Sequence, residues 1–490
     1  MSTLLALVLG ATAVLAFAPF GLAPLGPLSL ALLFTLWRRA AAPRQAAWLG
    51  WLWGLAFFLG GVSWVYVSLH DVGEMPAPIA AAATLAFCAC LALYPALAGW
   101  FSARLASGRT WPDVLLFAGV WCASEWLRGV LFTGFPWLSL GYSQAPPSPL
   151  AGFAPVLGVY GLGYLAAFLA AALALLRWRA ILPVACVLLA GLALQRQTWT
   201  EPLGAPLTVS LLQGNVEQSI KWEPPYIADS LDTYARLARA HPADLIVLPE
   251  TALPMFLHEV PSDYLDGLMH SGPLLVGVVL SPRHDEYLNA AVALTPGAAP
   301  AAYAKSHLVP FGEFMPPGFS WFLALMRIAM SDFSPGASWQ EPLALAGQRI
   351  APNICYEDLF GEEIIRALPQ ATLLVNLSNT AWFGNSLAQP QHLQVAQLRA
   401  LESGRMMLRA TNTGMTAVLR TDGSVQAVLP PFSRAVLTAQ VQGYTGATPY
   451  VRWGNASVLL IAALSVLLAP CLSWRRRRAA MAHRDEAESR

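Results

Sequence analysis

Long apolar runs alternate with short polar breaks over the first 195 residues, and one more apolar run lies near the carboxyl terminus. A helix needs about 20 predominantly apolar residues to cross the hydrocarbon core of a bilayer. Runs close to that length occur at 3–20, 23–37, 46–69, 78–103, 113–131, 156–176, 180–195 and 455–474. The pattern predicts a polytopic α-helical membrane domain of eight spans, seven within residues 1–195 and the eighth at 455–474.

The first apolar run has an alternative interpretation as a signal peptide. A signal peptide begins with a positively charged region, whereas Met1, Ser2 and Thr3 carry no basic side chain. Further apolar runs also follow it along the chain. We therefore interpret it as the first membrane span.

Arginine is concentrated in every second loop between the apolar runs, and cytoplasmic loops of membrane proteins carry an excess of Lys and Arg. The basic loops contain Arg38, Arg39, Arg44, Arg104, Arg109, Arg177, Arg179 and Arg475 to Arg478. The alternate loops, 70–76 and 132–155, contain neither Lys nor Arg. This predicts cytoplasmic termini, including a basic tail at 475–490, and an exported segment at 196–454.

The segment 196–454 has a different pattern, in which short β-branched runs alternate with helical stretches. The predicted strands lie at 207–216, 243–250, 273–280, 288–296, 349–358, 371–379, 415–423, 425–430 and 433–441, and the predicted helices at 226–240 and about 390–408. Helices must cover the faces of a sheet of mixed direction. The segment is therefore predicted to be an α/β domain.

Charge separates the same two parts of the chain. Overall, 12% of residues are charged and 56% are hydrophobic, against roughly 25% charged in a soluble globular protein. Residues 196–454 carry 15 basic and 21 acidic side chains, a net charge of −6. A segment of this charge repels nucleic acid, so no nucleic-acid partner is expected.

Cysteine and lysine usage single out two residues of the exported segment. Every other cysteine lies in an apolar run, so Cys355 has no disulfide partner there. A lone thiol in an oxidising compartment is a candidate nucleophile, and the alternative is a buried, inert cysteine. The chain has only two lysines, Lys221 and Lys305. Each is a candidate site for a compact ammonium that a planar guanidinium does not replace, and the alternative for Lys221 is survival by chance.

Three of the predicted runs place a reactive group where strands end: Glu250 after LIVLP, Lys305 in YAKSHLVPFGEF and Cys355 in NICYED. A thiol can attack a carbonyl while a carboxylate takes its proton, and an ammonium lowers the thiol pKa and stabilises the oxyanion. The combination indicates acyl transfer. The eight histidines form no pair at metal-ligand spacing, so neither a metal nor a cofactor is expected.

These residues carry a resemblance to a known family. PET at 249–251 and the motifs around Lys305 and Cys355 resemble the Glu, Lys and Cys of the nitrilase superfamily. QGNVEQSIKW at 213–222, PFGEF at 310–314 and SNTAWFG at 378–384, within the predicted topology, resemble the apolipoprotein N-acyltransferases over essentially the whole chain.

The resemblance implies a nitrilase-like αββα sandwich inserted before the last span of a bacterial inner-membrane protein, with its catalytic domain in the periplasm. It implies that an acyl chain moves from a phospholipid to the α-amino group of the diacylglyceryl-cysteine of a lipoprotein. Catalysis would be ping-pong through a Cys355 thioester, with Glu250 as base and Lys305 holding the oxyanion. A monomer is expected.

The resemblance also implies roles for further residues. Glu313 matches a second family carboxylate that positions Lys305 or accepts protons, and its alternative is a surface acid. Residues expected to support the nucleophile or bind substrate are Tyr356, Glu357, Trp222, Asn376, Asn379 and Trp382. Trp222 has the alternative of an ordinary buried aromatic.

The apolar run 316–330 is too short to span a membrane. Phe319, Trp321 and Phe322 would form a lipid-facing lid at the interface, beside the catalytic pocket. The alternative is a helix buried in the domain core.

Two rival functions remain after these interpretations. A membrane-tethered amidase would use the same three residues on a small amide, but it needs one anchor rather than eight spans. A transporter with an appended domain would need several ionisable residues within its spans. Only Glu125 and Arg128 lie well within a predicted span, and they are three residues apart on one helix. They form either a functional site or an interfacial pair.

Overall fold

The computed structural model describes residues 1–217, 224–318 and 332–471. The predicted lid residues Phe319, Trp321 and Phe322, together with Trp222 and the tail 475–490, lie outside the described residues. The chain divides into two compact units. The first contains Met1–Ser63, Leu85–Gln197 and the chain from Asn455, and the second contains Trp64–Thr84 and Thr198–Gly454.

Helices make up most of the first unit, and the second unit also contains several. The α-helices are α1 (Ser2–Ala13), α2 (Leu25–Arg38), α3 (Pro43–Val62), α4 (Val65–Val67), α5 (Ala77–Leu91), α6 (Leu93–Leu105), α7 (Thr110–Val130), α8 (Ala154–Leu176), α9 (Ile181–Leu194), α10 (Pro224–Ala240), α11 (Ser262–Met269), α12 (Gly361–Ile364), α13 (Ala388–Ser403) and α14 (Pro449–Trp453), and the apolar helix Ala456–Cys471 follows. Small residues let α3 and α6 approach closely, because a Cβ on Gly50 would lie 2.4 Å from the carbonyl oxygen of Pro95.

Four helical stretches within the described residues are long and apolar enough to cross a membrane. They are Pro43–Val62, Ala77–Leu105, Thr110–Thr133 and Pro149–Leu176. Shorter apolar helices lie at Ser2–Ala16, Leu25–Arg38, Trp178–Leu194 and Ala456–Cys471. The third predicted run, 46–69, is helical in α3 only to Val62, and residues 64–84 belong to the second unit.

Glu125 and Arg128 lie one turn apart in α7, and both are buried. Glu125 Oε1 accepts a hydrogen bond from the backbone N–H of Leu140 at 2.7 Å. Arg128 donates to the carbonyl oxygen of Trp137 at 2.6 Å and to Ser139 Oγ at 3.1 Å. The two charged side chains therefore bind the irregular backbone that follows α7, whose polar groups need partners away from water.

The strands of the second unit form two sheets. They are β1 (Thr200–Gln213), β2 (Leu245–Val247), β3 (Leu253–Phe256), β4 (Leu274–Arg283), β5 (Glu286–Leu294), β6 (Ala301–Ala304), β7 (Leu343–Leu345), β8 (Gln348–Ile354), β9 (Leu373–Ser378), β10 (Met407–Thr411), β11 (Ala417–Leu419), β12 (Val425–Val428) and β13 (Ala435–Gly446). The first sheet has the order β13-β1-β2-β4-β5-β6, with β3 beside β4, and the second has the order β12-β11-β10-β9-β8-β7. The central strands β1, β2 and β4 are parallel, as are β8, β9 and β10.

The apolar faces of the two sheets pack against each other. Val209 and Val247 of the first sheet lie in one buried cluster with Ile350, Val375 and Leu408 of the second. Helices α10 and α11 cover the outer face of the first sheet, and α13 covers that of the second. This arrangement is the αββα sandwich that the family resemblance implies. Its inner strands are covered on both faces, which agrees with their near-continuous apolar runs.

The predicted helix at about 390–408 was wrong at its carboxyl end. Helix α13 ends at Ser403, because Gly404 adopts the left-handed conformation with φ +63°. The chain then forms β10, a strand that the sequence pattern missed, between β9 and β11. Met407 and Leu408 favour helices in isolation, and pairing inside a sheet overrides that preference.

Candidate active site

Glu250, Lys305 and Cys355 each lie just beyond a strand of the sandwich. Glu250 follows β2, Lys305 follows β6 and Cys355 follows β8. They are 7%, 1% and 7% exposed, respectively. Charged groups at this depth require partners, so their contacts define the chemistry of the site.

Cys355 occupies a strained position as the first residue of a 3₁₀ helix, Cys355–Leu359, which directly follows β8. Its φ of +53° is uncommon for a residue other than glycine. Two bonds hold the turn: Glu357 Oε2 accepts from the N–H of Ile354 at 2.7 Å, and Asn376 Nδ2 donates to the carbonyl oxygen of Cys355 at 3.2 Å. Strain of this kind persists only where the surroundings impose it, which is typical of reactive residues.

The Lys305 ammonium lies between two carboxylates. Its Nζ is 2.7 Å from Glu313 Oε2 and 3.5 Å from Glu250 Oε1. Burial lowers the pKa of Lys305, but Glu313 and Glu250 raise it by more, so the pKa lies above its usual value. The side chain is therefore a permanent cation inside the domain, and Glu313 contacts it directly.

Asn289 on β5 was missed by sequence reasoning, and it completes the group. Its Nδ2 donates to Glu250 Oε1 and to Glu313 Oε1, both at 2.8 Å. Glu250 Oε2 accepts from the backbone N–H of Asn379 at 2.7 Å. Each carboxylate is thus oriented by neutral donors as well as by Lys305. The run LNAAVALTP has the pattern of an ordinary strand, and its asparagine was the available signal.

We expect Asn289→Leu to slow acylation of Cys355 by roughly tenfold or more. The reason is that Glu250 loses the side-chain donor that orients it, and a misplaced base takes a proton less efficiently. Rates of covalent adduct formation measured by intact mass spectrometry provide the check. Thr372→Val is the matched control, because it removes a buried hydrogen bond to Gln348 (2.7 Å) at the start of β9. An unchanged acylation rate in the Asn289 variant, with normal folding, would contradict this role.

Glu357 connects the Lys305 loop to the turn at Cys355. Its Oε1 accepts from Tyr303 Oη at 2.9 Å, the Ser306 N–H at 2.7 Å and the His307 N–H at 3.1 Å. Burial raises the pKa of Glu357, and Lys305 and the backbone donors oppose that rise. The residue therefore supports the site by joining two of its segments.

The thiol of Cys355 is not a preformed thiolate. Burial and the negative charges of Glu250 and Glu313 raise its pKa, and Lys305, which lowers it, does not compensate. The expectation that the ammonium lowers the thiol pKa describes one contribution, but the net shift is upward. The thiol therefore needs a base at the moment of attack.

Tyr356 packs in an aromatic group beside the turn. Its ring centroid is 5.2 Å from that of Phe360 and 5.9 Å from that of His307, and the His307 ring stacks on Phe360 at 3.7 Å. This packing fixes the residue next to the nucleophile and fits a supporting position.

Of the predicted floor residues, Asn376 lies within β9, and Asn379 and Trp382 follow that strand. Asn376 and Asn379 are buried, and the backbone carbonyl of Trp382 accepts from Ser68 Oγ at 2.8 Å. Trp64 packs its ring 4.6 Å from that of Phe383. Residues 64–68 thus contact the loop that holds Asn379, a long-range contact with no signal in the local sequence.

Comparisons with known proteins agree with this division of the chain. The family described as the apolipoprotein N-acyltransferase N-terminal domain matches residues 9–172, and the family described as carbon-nitrogen hydrolase matches residues 208–450. The chain is 49% identical to an apolipoprotein N-acyltransferase of Nitrosomonas europaea, over 96% of this chain and 98% of that protein. It is 48% identical to that of Ralstonia nicotianae (98% and 94%) and 48% identical to that of Chromobacterium violaceum (96% and 93%).

Proposed function

The chain belongs to the apolipoprotein N-acyltransferase family, and on that basis we propose that it transfers an acyl chain from a phospholipid to the α-amino group of an N-terminal diacylglyceryl-cysteine on a lipoprotein. Family membership makes it an acyltransferase with a lipoprotein substrate and a membrane setting. The observation that carries the detailed proposal is the buried thiol at a strained turn, placed in the electrostatic field of Glu250 and Lys305.

The first half-reaction forms an acyl-enzyme. Cys355 Sγ attacks the ester carbonyl carbon of the phospholipid while Glu250 takes the thiol proton. The Lys305 ammonium stabilises the oxyanion of the tetrahedral intermediate. The carbon–oxygen bond then breaks, and the leaving oxygen takes the proton back from Glu250, so a lysophospholipid and a Cys355 thioester result.

The second half-reaction resembles the first. The α-amine of the lipoprotein attacks the thioester carbonyl and gives a proton to Glu250, and Lys305 again faces the oxyanion. The carbon–sulfur bond breaks, and the sulfur recovers the proton. The products are an amide on the lipoprotein and the free thiol, and neither step needs a cofactor.

The remaining residues support this chemistry in the proposal. Glu313 and Asn289 orient Lys305 and Glu250, and Glu357 with Tyr356 fixes the nucleophile. Asn376, Asn379 and Trp382 form the floor of the site. Substrate binding by Trp222 and a lipid-facing lid of Phe319, Trp321 and Phe322 remain proposals from the sequence.

The membrane arrangement is also part of the proposal. The four long apolar helices and four shorter ones, with the alternation of basic loops, support eight spans. Residues 1–195 would form the first seven spans, 196–454 the periplasmic domain, 455–474 the eighth span and 475–490 a cytoplasmic tail. A monomer in the inner membrane would then meet its phospholipid donor in the bilayer.

Intact mass spectrometry of the purified full chain in detergent tests the function. After incubation with a defined phospholipid, we expect one hydroxylamine-sensitive acyl adduct, which a diacylated lipopeptide with a free amine discharges. The same lipopeptide with its amine acetylated is the matched control and should leave the adduct in place. Turnover of a small amide without any adduct from phospholipid would overturn the proposal in favour of a tethered amidase.

A further inference from the structure

Three ionisable side chains lie buried behind the nucleophile and take no part in the proposed reaction. Asp358 and His392 are 0% exposed and Arg409 is 1% exposed. His392 Nε2 is 2.7 Å from Asp358 Oδ1, and Arg409 Nη1 donates to Asp358 Oδ2 at 2.9 Å. They come from three elements, the 3₁₀ helix at Cys355–Leu359, α13 and β10. We name these three residues the rear cluster.

A row of hydrogen bonds connects the rear cluster to the backbone of Cys355. Arg409 Nη1 also donates to Asn376 Oδ1 at 3.1 Å. Asn376 Nδ2 donates to the carbonyl oxygen of Cys355 at 3.2 Å. The strand register places Asn376 beside both Asn353 and Arg409, so the row crosses β8, β9 and β10 at one level of the sheet.

The rear cluster has a defined charge. Burial and the neighbouring Arg409 lower the pKa of His392. Asp358 and a hydrogen bond to the backbone of Cys355 only partly oppose this, so the imidazole is neutral. Burial also lowers the pKa of Arg409, but a guanidinium remains protonated in proteins. One positive and one negative charge therefore lie behind the thiol.

Stability alone does not account for this arrangement. A buried ion pair recovers little more than its desolvation cost, and apolar residues of similar volume are often as stable. The cluster nevertheless lies beside a residue whose backbone is held at φ +53°. A row of bonds that ends on the carbonyl of that residue supplies the restraint that such a conformation needs.

We propose that Arg409, Asp358 and His392 are positioning residues that hold the turn at Cys355 through Asn376 and set the charge behind its thiol. This inference rests on the proposed role of Cys355 as nucleophile. Arg409 and Asp358 carry opposite charges, so the two residues should have opposite effects on the reactivity of the thiol. A pair with a purely structural role would not have opposite effects.

Alkylation of Cys355 by iodoacetamide in the full chain tests the charges, followed by mass spectrometry of the peptide that contains it. The charged groups acting on this thiol are Glu250, Lys305, Glu313, Asp358 and Arg409. Asp358 raises the thiol pKa, so Asp358→Asn should lower it and speed alkylation at fixed pH. Arg409 and the thiolate attract each other, so Arg409→Gln should slow it.

The expected size of each change follows from the thiolate fraction. A pKa change of one unit alters that fraction about tenfold below the pKa, and the opposing change in nucleophilicity removes roughly half of this on a logarithmic scale. One neighbouring charge typically shifts a pKa by about one unit or more, so we expect rates about threefold above wild type for Asp358→Asn and about threefold below it for Arg409→Gln. Changes in the same direction, or none, would overturn the inference.

His392→Gln is the matched control for charge. Glutamine is neutral and can still donate to Asp358, so the charge behind the thiol is kept and the alkylation rate should change by less than it does in either charge variant. A slowing like that of Arg409→Gln would show that His392 is charged and would contradict the cluster as described. The double variant Arg409→Gln/His392→Gln prevents the imidazole from taking up a proton in place of the lost guanidinium, and it should show the full slowing.

A milder variant covers the case in which the charge variants do not fold. Ser378→Ala removes only the hydroxyl that donates to Asn376 Oδ1 at 2.6 Å. We expect acyl-enzyme formation at least threefold slower, with alkylation unchanged, and an unaltered acylation rate would overturn the positioning role. Failure of the proposed function is distinct, since wild-type protein would then form no acyl adduct at all.

Discussion

Cys355→Ala will remove the acyl adduct from the protein and abolish acyl transfer. No other group in the described part of the site can form a thioester, and loss of a nucleophile costs a factor on the order of 10³ or more. Intact mass spectrometry after incubation with phospholipid measures the adduct, and transfer to a diacylated lipopeptide measures the reaction. The variant should fold, because removing one sulfur from a buried site costs only about 1–2 kcal/mol.

A second cysteine provides the matched control for this result. Cys90 lies on α5 with its side chain exposed, so Cys90→Ala should keep both the adduct and the transfer activity. A hydroxylamine-sensitive adduct that persists in Cys355→Ala would identify a different nucleophile. The mechanism proposed for Glu250 and Lys305 would then be wrong.

The layered fold could be predicted from sequence because its determinants are local and periodic. Runs such as LIVLP and ATLLVNLSN are apolar enough to be covered on both faces, and the structure confirms the α/β domain they predict. The αββα sandwich, which the structure also confirms, was implied by the family resemblance and not by the runs. The error at 404–408 arose because Met407 and Leu408, which have good helix propensity, belong to a central strand. There, pairing with β9 and β11 decides the conformation.

The limits of sequence reasoning at the site have the same origin. Glu250, Lys305 and Cys355 stand out because each follows a recognisable strand or motif. Asn289 and Arg409 do not stand out, because each is a polar residue inside a strand. Only the folded sheets bring these two residues close to the site. Ser68 lies 314 residues from Trp382 in the chain, so no local pattern could indicate their contact.

Lys305→Met will lower the rate of acyl-enzyme formation by a factor on the order of 10²–10³, the usual cost of removing an oxyanion donor. It will also destabilise the domain by about 3–5 kcal/mol, because a buried partner of two carboxylates is lost. Mass spectrometry of the adduct measures the rate, and thermal denaturation measures the stability. The pKa of Lys305 is higher in the folded domain than in the unfolded chain, where it is near 10.5. At pH values below 10.5 the ammonium is charged in both states, so its contribution to stability is constant through neutral pH. That contribution disappears only in strong base, as the pH rises through the pKa of the folded state.

Two further variants separate the catalytic effect of Lys305 from its structural effect. Lys305→Met/Glu313→Gln removes one of the uncompensated carboxylates, so it should regain much of the stability while acylation stays slow. Lys305→Arg keeps the charge, but its planar fork does not fit a cavity in which Nζ is 2.7 Å from Glu313 Oε2 and 3.5 Å from Glu250 Oε1. We expect it to remain at least tenfold impaired in acylation, since a misplaced donor loses much of its effect on the transition state. Acylation within tenfold of wild type in the folded double variant would mean that the oxyanion is held by other groups, and Lys305 would then be a structural cation between Glu250 and Glu313.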